Sequence, residues 1–357
     1  MSRSFSKLRR IIIYLTRRCN LKCKHCWINP RDISSSEYEL QTPEIINVIN
    51  EALDLGLEQI GITGGEPFLR RKVLYEVLKY SREMDIPVVI ETNGTLLTRP
   101  DISFLKRMNV YIAISLDSSD ENFHDSFRGE RGAFKRTLLA LKTLTNENIP
   151  CEVIMTVTKG NLNNINKLAE LVLDRIGVDA LKVDPVIAVG RAKYLLDELL
   201  DVNSMHIFIE KVKELTLEYP GKIFTSVPPA LLGRSILEKN SRITAPCDYR
   251  HICGLLPNGD ISLCGIGLTH RELVFGNVQQ KTLKSILSDA NELRLLREAR
   301  PQDFKGVCSL CIFSKYCANY CPAYSYEIYG DLLASNPICQ AFYDSHVFPS
   351  KYLKVRK

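Results

Sequence analysis

The spacing of the cysteines constrains this chain more than any other feature. Twelve of its 357 residues are cysteines, and eleven of these fall into two groups, one within the first thirty residues and one in the last third. The longest apolar runs are far shorter than the roughly 18–20 residues that span a bilayer, and no cleavable signal pattern begins the chain. We therefore expect a cytoplasmic protein, in which cysteines serve metal or redox chemistry more often than disulfides.

The composition indicates an ordinary globular chain. At 45% hydrophobic and 25% charged residues, the sequence is neither disordered nor fibrous. A length of 357 residues allows two or three domains, each with its own core.

Between residue 11 and about residue 187, short β-rich runs alternate with segments of helical period. Such alternation predicts parallel βα units with right-handed crossovers, in either an open doubly wound sheet or a partial barrel. The predicted strands are 11–16, 59–63, 87–92, 110–116, 152–158 and 180–186. The predicted helices are 43–56, with Thr42 as N-cap, 71–84, 101–108, 132–147 and 161–176.

The last part of the chain has a different organisation. Residues 190–245 resemble a connecting region, with a helix predicted at about 204–217. Beyond it, the run Pro257-Asn258-Gly259-Asp260 between apolar residues predicts a hairpin turn. One more helix is predicted at about 282–298.

Chemistry-bearing residues follow directly after several predicted strands, where parallel sheets bind their ligands. Cys19, Cys23 and Cys26 follow the first strand. A site held entirely by protein needs four ligands, so three thiolates leave one position for a non-protein ligand. The alternative is a structural zinc loop whose fourth ligand is elsewhere, such as His25.

The segment CNLKCKHCW at residues 19–27, followed by TGGEP at residues 63–67, resembles the radical S-adenosylmethionine (SAM) superfamily. The resemblance implies that the three cysteines hold a [4Fe-4S] cluster whose fourth iron binds SAM. The cluster reduces SAM to a 5′-deoxyadenosyl radical, which abstracts a hydrogen atom from the substrate. It also implies contacts to SAM from Thr63, Gly64, Gly65, Glu66, Pro67, Thr92, Asn93, Ser115, Asp117 and Arg128.

These predicted contacts have a physical basis. The two glycines would let the backbone approach the methionine moiety of SAM, and Glu66 would lie near its ammonium group. Arg128 resembles the family's arginine that reaches the methionine carboxylate, and Ser115 lies in the segment that resembles the ribose side. For Asp117, Thr92 and Asn93, the alternative is a strand-end polar group satisfied within the protein.

The second cysteine group resembles the SPASM extension of radical SAM enzymes, which carries two auxiliary [4Fe-4S] clusters. The chain reads C-x5-C-x5-G-x4-C from residue 247, C-x2-C-x5-C-x3-C from residue 308, and a last cysteine at 339. Paired C-x2-C motifs also occur in zinc ribbons, which is the structural alternative.

The resemblance divides these eight cysteines into two sets. The nearer cluster would be held by Cys247, Cys253, Cys264 and Cys321. The farther cluster would be held by Cys308, Cys311, Cys317 and Cys339. Cys253 would close the first cluster, which favours electron transfer; without it, one iron would be open to substrate.

Four further residues lie outside the predicted ligand sets but could have a role in the protein. Cys151 has no partner in either set and is predicted to be a buried structural cysteine. His25 and Trp27 are expected to pack around the first cluster, and Arg191 could reach cofactor, substrate or solvent.

The predicted architecture is an α/β chain with a partial (β/α)6 TIM-like barrel and a C-terminal cysteine-rich SPASM domain. We place the barrel at 1–190, a connecting region at 191–245, the SPASM domain at 246–345 and a tail at 346–357.

The resemblance favours modification of a ribosomally synthesised peptide or protein by oxidation, crosslinking or epimerisation. Modification of tetrapyrrole side chains in haem-type biosynthesis is the alternative, and an iron–sulfur electron carrier or a zinc module are the non-enzyme alternatives. Gly265 stands where sulfatase-maturing enzymes have an aspartate base, which counts against that branch. Because only ten residues precede the first strand, we expect any recognition of a substrate's leader peptide to need a separate protein. We also expect a flavodoxin- or ferredoxin-type protein as the electron donor.

The charge of the chain depends on its clusters. Without them the formal net charge is +6. Three clusters contribute roughly −5, counting about −1 with three thiolates and about −2 with four. The holoprotein is then nearly neutral, so the apparent basicity is no argument for nucleic-acid or membrane binding, and we expect neither partner.

Overall fold

A single ten-stranded sheet organises the protein. The computed structural model describes residues 7–34 and 37–354. The strands are β1 (Arg10–Tyr14), β2 (Gln59–Thr63), β3 (Val88–Thr92), β4 (Val110–Ser115), β5 (Cys151–Val157), β6 (Ala180–Pro185), β7 (Ile223–Thr225), β8 (Ile252–Leu255), β9 (Asp260–Ser262) and β10 (Val274–Asn277).

The strand order is β10-β9-β8-β1-β2-β3-β4-β5-β6-β7. All neighbours from β8 through β1 to β7 run parallel, whereas β9 is antiparallel to both of its neighbours, β8 and β10. The six predicted strands are confirmed, with ends that differ by one or two residues, and they form the predicted partial barrel. Unexpectedly, β8 of the cysteine-rich region continues the barrel sheet beyond β1.

Helices and short turns connect the strands. The α-helices are α1 (Thr42–Asp54), α2 (Arg71–Glu83), α3 (Arg99–Leu105), α4 (Glu121–Arg128), α5 (Ala133–Asn146), α6 (Ile165–Ala169), α7 (Val202–Glu218), α8 (Pro229–Leu232), α9 (Arg234–Lys239), α10 (Leu283–Asp289), α11 (Asn291–Glu298), α12 (Gly306–Leu310), α13 (Ser314–Cys317), α14 (Pro322–Tyr329) and α15 (Pro337–Asp344). The 3-10 helices are Pro67–Arg70, Leu162–Asn164, Gly190–Tyr194, Leu196–Glu198, Gly265–Leu268, Arg271–Leu273 and Ser350–Tyr352. No helix of the described residues is long and apolar enough to cross a membrane.

Three helix predictions need correction. The N-cap of α1 is Gln41, not Thr42, and its backbone N–H donates to the Glu44 carboxylate at 2.8 Å. The helix predicted at 282–298 is broken at Ala290, whose ψ of 107° is extended, into α10 and α11. The helix predicted at 161–176 begins as a 3-10 turn and ends as a π-helix over Glu170–Ile176.

The sheet has one packed face and one open face. In β1, Ile11 and Ile13 are 0% and 1% exposed and pack in the hydrophobic core that includes the helices. Arg10 and Ile12, which alternate with them, point to the concave face and are only partly buried. This concave face lines a cavity inside the partial barrel.

Candidate functional site

The loop after β1 brings the first three cysteines together. Cys19, Cys23 and Cys26 pack around Leu21 and Ala133 in one small apolar cluster. Burial raises the pKa of the Cys19 thiol to about 12 and also raises that of Cys23. Thiols of this kind lose their protons when they bind metal, so the loop suits a metal cluster.

The turn after β2 lies directly against this loop. The N–H of Gly65 donates to the Thr16 carbonyl at 2.7 Å, and the N–H of Glu66 donates to the Arg18 carbonyl at 2.9 Å. A Cβ on Gly64, whose φ is +131°, would be 2.4 Å from the Thr16 oxygen, and one on Gly65 would be 1.9 Å from that of Arg18. In this structure the glycines make room for the cysteine loop, which sequence reasoning did not foresee.

Glu66 is fully buried, and three hydrogen bonds hold its carboxylate. It accepts from the Phe68 N–H at 3.0 Å, the Thr92 hydroxyl at 2.8 Å and the Asn93 N–H at 3.0 Å. Burial raises the pKa of Glu66, and these hydrogen bonds oppose that rise. The structure thus brings together Glu66, Thr92 and Asn93, three residues predicted to contact SAM, beside the cysteine loop.

Other residues predicted to contact SAM lie at or just after the carboxyl ends of β2, β3 and β4. Asn93 donates to the Asn20 side chain at 3.0 Å and lies 4.0 Å from the Cys19 sulfur. Thr63 is the last residue of β2, Pro67 begins a buried 3-10 turn, and Ser115 is the last residue of β4.

Arg128 and Asp117 form a buried ion pair on the opposite side of the loop. The Arg128 Nε donates to the Asp117 carboxylate at 2.5 Å, and its Nη1 lies 3.8 Å from the Cys23 sulfur. The second Asp117 oxygen accepts from the Thr156 N–H at 3.0 Å. Although burial alone would raise the pKa of Asp117, the Arg128 guanidinium holds it below its usual value. Both carboxylate oxygens of Asp117 therefore have partners within the protein, and Asp117 would affect cofactor binding by positioning Arg128.

The aromatic residues of the loop pack as expected around it. His25 stacks on Phe127 with ring centroids 4.2 Å apart, and burial lowers its pKa to about 3, so the ring is neutral. Trp27 meets the Tyr14 ring edge-on at 6.3 Å. The Arg191 N–H donates to the Cys26 carbonyl at 2.9 Å, which ties the end of β6 to the loop.

The structure brings together the four cysteines predicted to form the second auxiliary set. These four cysteines line one small enclosed cavity and are each less than a tenth exposed: Cys308, Cys311, Cys317 and Cys339. Burial raises the pKa of all four thiols, and the neighbouring thiolates raise that of Cys339 further.

The first auxiliary set is brought together only in part. Cys247 and Cys321 line the large cavity of the barrel. Burial raises the pKa of Cys247, and the neighbouring thiolates of Cys321 and Cys264 raise it further. Cys253 pairs with Ile11 of β1, and both residues belong to the main hydrophobic core.

Over residues 7–34 and 37–354, no three His, Cys, Asp or Glu side chains are close enough together to hold a single metal ion.

Sequence reasoning missed the cavity on the concave face of the sheet, which has a volume of about 940 Å³. Its walls combine cationic, acidic and aromatic side chains: Arg9, Arg10, Lys182, Arg242, Glu58, Glu152, Asp248, Tyr111, Phe224, Tyr320 and Tyr324. Polar residues at inward-facing strand positions were the available signal, because a fully packed barrel would carry apolar residues there.

Charged side chains inside the cavity interact with one another. Lys182 lies 3.1 Å from the Asp184 carboxylate, and Tyr111 donates to Glu152 at 3.5 Å. Burial raises the pKa of Glu152 to about 6, although Lys182 opposes the rise.

Tyr14 connects this cavity to the cysteine loop. It follows Arg10 and Ile12 on the same face of β1, and it packs with Ile12, Cys26 and Trp27. A Cβ on Gly265 would be 2.6 Å from the Tyr14 ring. The ring therefore occupies the space that an aspartate at position 265 would need.

A partial barrel with three cysteines at its strand ends, joined to a cysteine-rich extension, defines a radical SAM enzyme. The family model of the radical SAM superfamily matches residues 13–172, and that of the SPASM iron-sulfur cluster-binding domain matches residues 247–312. The chain belongs to the radical SAM superfamily and has a C-terminal SPASM domain. Its expected cofactors are SAM and [4Fe-4S] clusters.

The chain is also similar to individual proteins of known name. The chain is 31% identical to the AdoMet-dependent heme synthase of Methanosarcina barkeri, over 91% of this chain and 94% of that protein. It is 29% identical to the subtilosin biosynthesis protein AlbA of Bacillus subtilis, over 85% of this chain and 65% of that protein. Among solved structures, Streptococcus suis SuiB bound to precursor peptide SuiA shares the fold, with a TM-score of 0.74, 19% identity, and coverage of 94% of this chain and 77% of that one.

Proposed function

We propose that this radical SAM enzyme modifies the side chains of a tetrapyrrole, and not the peptide that sequence reasoning favoured. The cavity of about 940 Å³ on the concave face is the observation that carries the proposal. Similarity to a heme synthase over nearly the full length of both proteins supports the same substrate class.

The chemistry of the cavity suits a tetrapyrrole. Its volume of about 940 Å³ is at the upper end of small-molecule sites, which run to about 1,000 Å³. A tetrapyrrole is a broad planar ring with carboxylate side chains. The aromatic walls can pack against such a ring, while Arg10, Lys182 and Arg242 can bind its carboxylates.

Charges on either side of the cysteine loop suit the amino-acid end of SAM. Glu66 lies on the Cys19 side, and Arg128 contacts Cys23. A carboxylate and a guanidinium in these positions can bind the ammonium and the carboxylate of SAM. When bound, SAM and its cluster supply the radical that removes a hydrogen atom from the substrate.

The buried second auxiliary set suits electron transfer. Its four thiols line one small cavity, and a cluster held by all four would have no position for substrate. A flavodoxin- or ferredoxin-type protein remains the proposed electron donor.

Assay with an iron porphyrin tests the substrate class. Anaerobically reconstituted protein given dithionite, SAM and iron coproporphyrin III should form 5′-deoxyadenosine and a porphyrin of altered mass, both followed by liquid chromatography and mass spectrometry. Formation of 5′-deoxyadenosine with an unchanged porphyrin would reject the tetrapyrrole while leaving the radical SAM activity intact.

Arg10 offers a sharper test of the cavity. Its Nε is buried and has no hydrogen-bond partner within the described part of the chain. If it binds a substrate carboxylate, Arg10→Gln should raise the KM for the porphyrin about 10- to 100-fold, since a hydrogen bond to a charged group contributes about 1.5–3 kcal/mol. Arg9→Gln is the matched control, because Arg9 is half exposed and already pairs with Glu58 at 2.8 Å. Equal KM values for the two variants would exclude Arg10 from substrate binding.

Peptide modification is the second candidate. The 29% identity to a bacteriocin biosynthesis protein favours it, although the chain covers 65% of that protein. A mass change in a candidate precursor peptide, with none in the porphyrin, would select this function.

A further inference from the structure

We propose that the first auxiliary cluster site is a three-cysteine site, formed by Cys247, Cys264 and Cys321, with one iron position open to the barrel cavity. Cys253, the predicted fourth ligand, is a structural core residue instead. This inference concerns the protein ligands and does not depend on which substrate the enzyme takes.

The register of the sheet separates Cys253 from the cavity. In the parallel pair of β8 and β1, Cys253 lies beside Ile11, while its neighbour Ile252 lies beside Arg10. Arg10 and Ile252 both line the cavity. Ile11 is 0% exposed on the opposite, packed face of the sheet. Because paired residues in register point to the same face, Cys253 points away from the cavity.

Cys264 lies on the cavity side of β8. A Cβ on Gly254, the residue after Cys253, would be 2.9 Å from the Cys264 Cα. Gly254 therefore faces Cys264, and alternation along the strand turns Cys253 to the other face. To bring Cys253 to the cavity side, β8 would have to slip by one residue, which would turn every side chain of the strand over.

The surroundings of Cys253 are those of a core residue. It is 0% exposed and belongs to the main hydrophobic core. Burial raises its pKa to about 12, and the charged group that opposes this rise is Arg297 of α11. By contrast, Cys247, Cys264 and Cys321 are all partly exposed.

The open position would take an anionic ligand from the cavity. Cys247, Cys321 and Arg10 all line the same cavity. A carboxylate that enters beside Arg10 would meet both a cation and the free iron position. The four cysteines of the second set line a different, smaller cavity.

Iron content of cysteine variants tests the ligand set. Reconstituted Cys253→Ala should keep about twelve irons per chain, four for each of three clusters, whereas Cys247→Ala should lose about four. Cys151→Ala is the control, because Cys151 is also a strand cysteine and is 1% exposed in the core. Loss of about four irons from Cys253→Ala, but not from Cys151→Ala, would overturn the proposal.

A spectroscopic test addresses the open position directly. In a protein that carries Cys19→Ala, Cys23→Ala and Cys26→Ala, only auxiliary clusters remain to give an electron paramagnetic resonance signal. Cyanide should change the reduced signal, and adding Cys247→Ala should abolish that change. An unaltered signal with cyanide would show that four protein ligands close the cluster. Neither experiment uses a porphyrin, so failure here and failure of the proposed function are distinguishable.

Discussion

Gly65→Ala should nearly abolish the formation of 5′-deoxyadenosine. The new Cβ would lie 1.9 Å from the Arg18 carbonyl oxygen, a distance that packed atoms do not tolerate. That carbonyl accepts the Glu66 N–H at 2.9 Å, so the clash separates the β2 turn from the loop that carries Cys19. We expect the rate to fall at least about 100-fold, equivalent to about 2.7 kcal/mol, when the product is measured by chromatography under reducing conditions.

A second glycine provides the control for backbone effects. Gly177 has a φ of +83°, and nothing lies within 4 Å of the Cβ that alanine would add. Gly177→Ala should cost about 1–2 kcal/mol of stability through its left-handed backbone, yet retain iron and SAM cleavage. If Gly65→Ala kept a full first cluster and the normal rate, the contact between turn and loop would not be what positions the cysteines.

The barrel strands could be predicted because each is a short apolar run between helical segments, and such periodicity is local. The pairing of β8 with β1 could not, since it joins residues more than 200 positions apart and depends on the assembled sheet. Helix α4 was also missed: it has eight residues, and much of its N-terminal stability comes from Asp120, which accepts the Phe123 N–H at 2.7 Å.

The four cysteines predicted for the second auxiliary set do line one small cavity, because they lie on short segments that fold against each other. Their role as cluster ligands stays a prediction. The cysteine spacing placed Cys253 with the first set, since sequence separation carries no information about the face of a strand. The close contact of Gly64 and Gly65 with the cysteine loop was not predicted for a similar reason. Their neighbour in the structure is backbone from a different loop, which no motif reveals.

Arg128→Met should destabilise the protein by about 3–5 kcal/mol, because it leaves the carboxylate of Asp117 buried without its partner. Asp117 is 0% exposed, and its salt bridge to Arg128 spans 2.5 Å. The free energy of unfolding from urea titrations, followed by circular dichroism under anaerobic conditions, measures the loss. A value equal to that of the unmodified protein would show that this ion pair contributes nothing to the fold.

Two further measurements separate lost charge pairing from lost packing. Adding Asp117→Asn to Arg128→Met removes the buried charge and should recover part of the stability. In the single variant, burial without Arg128 raises the folded pKa of Asp117 above its unfolded value of about 3.9, so the folded state binds protons more tightly. Its stability should then increase as the pH falls through that raised pKa toward about 3.9, the unfolded value. In the unmodified protein, Arg128 holds the pKa of Asp117 low, so the pair's contribution persists until the pH falls below about 4.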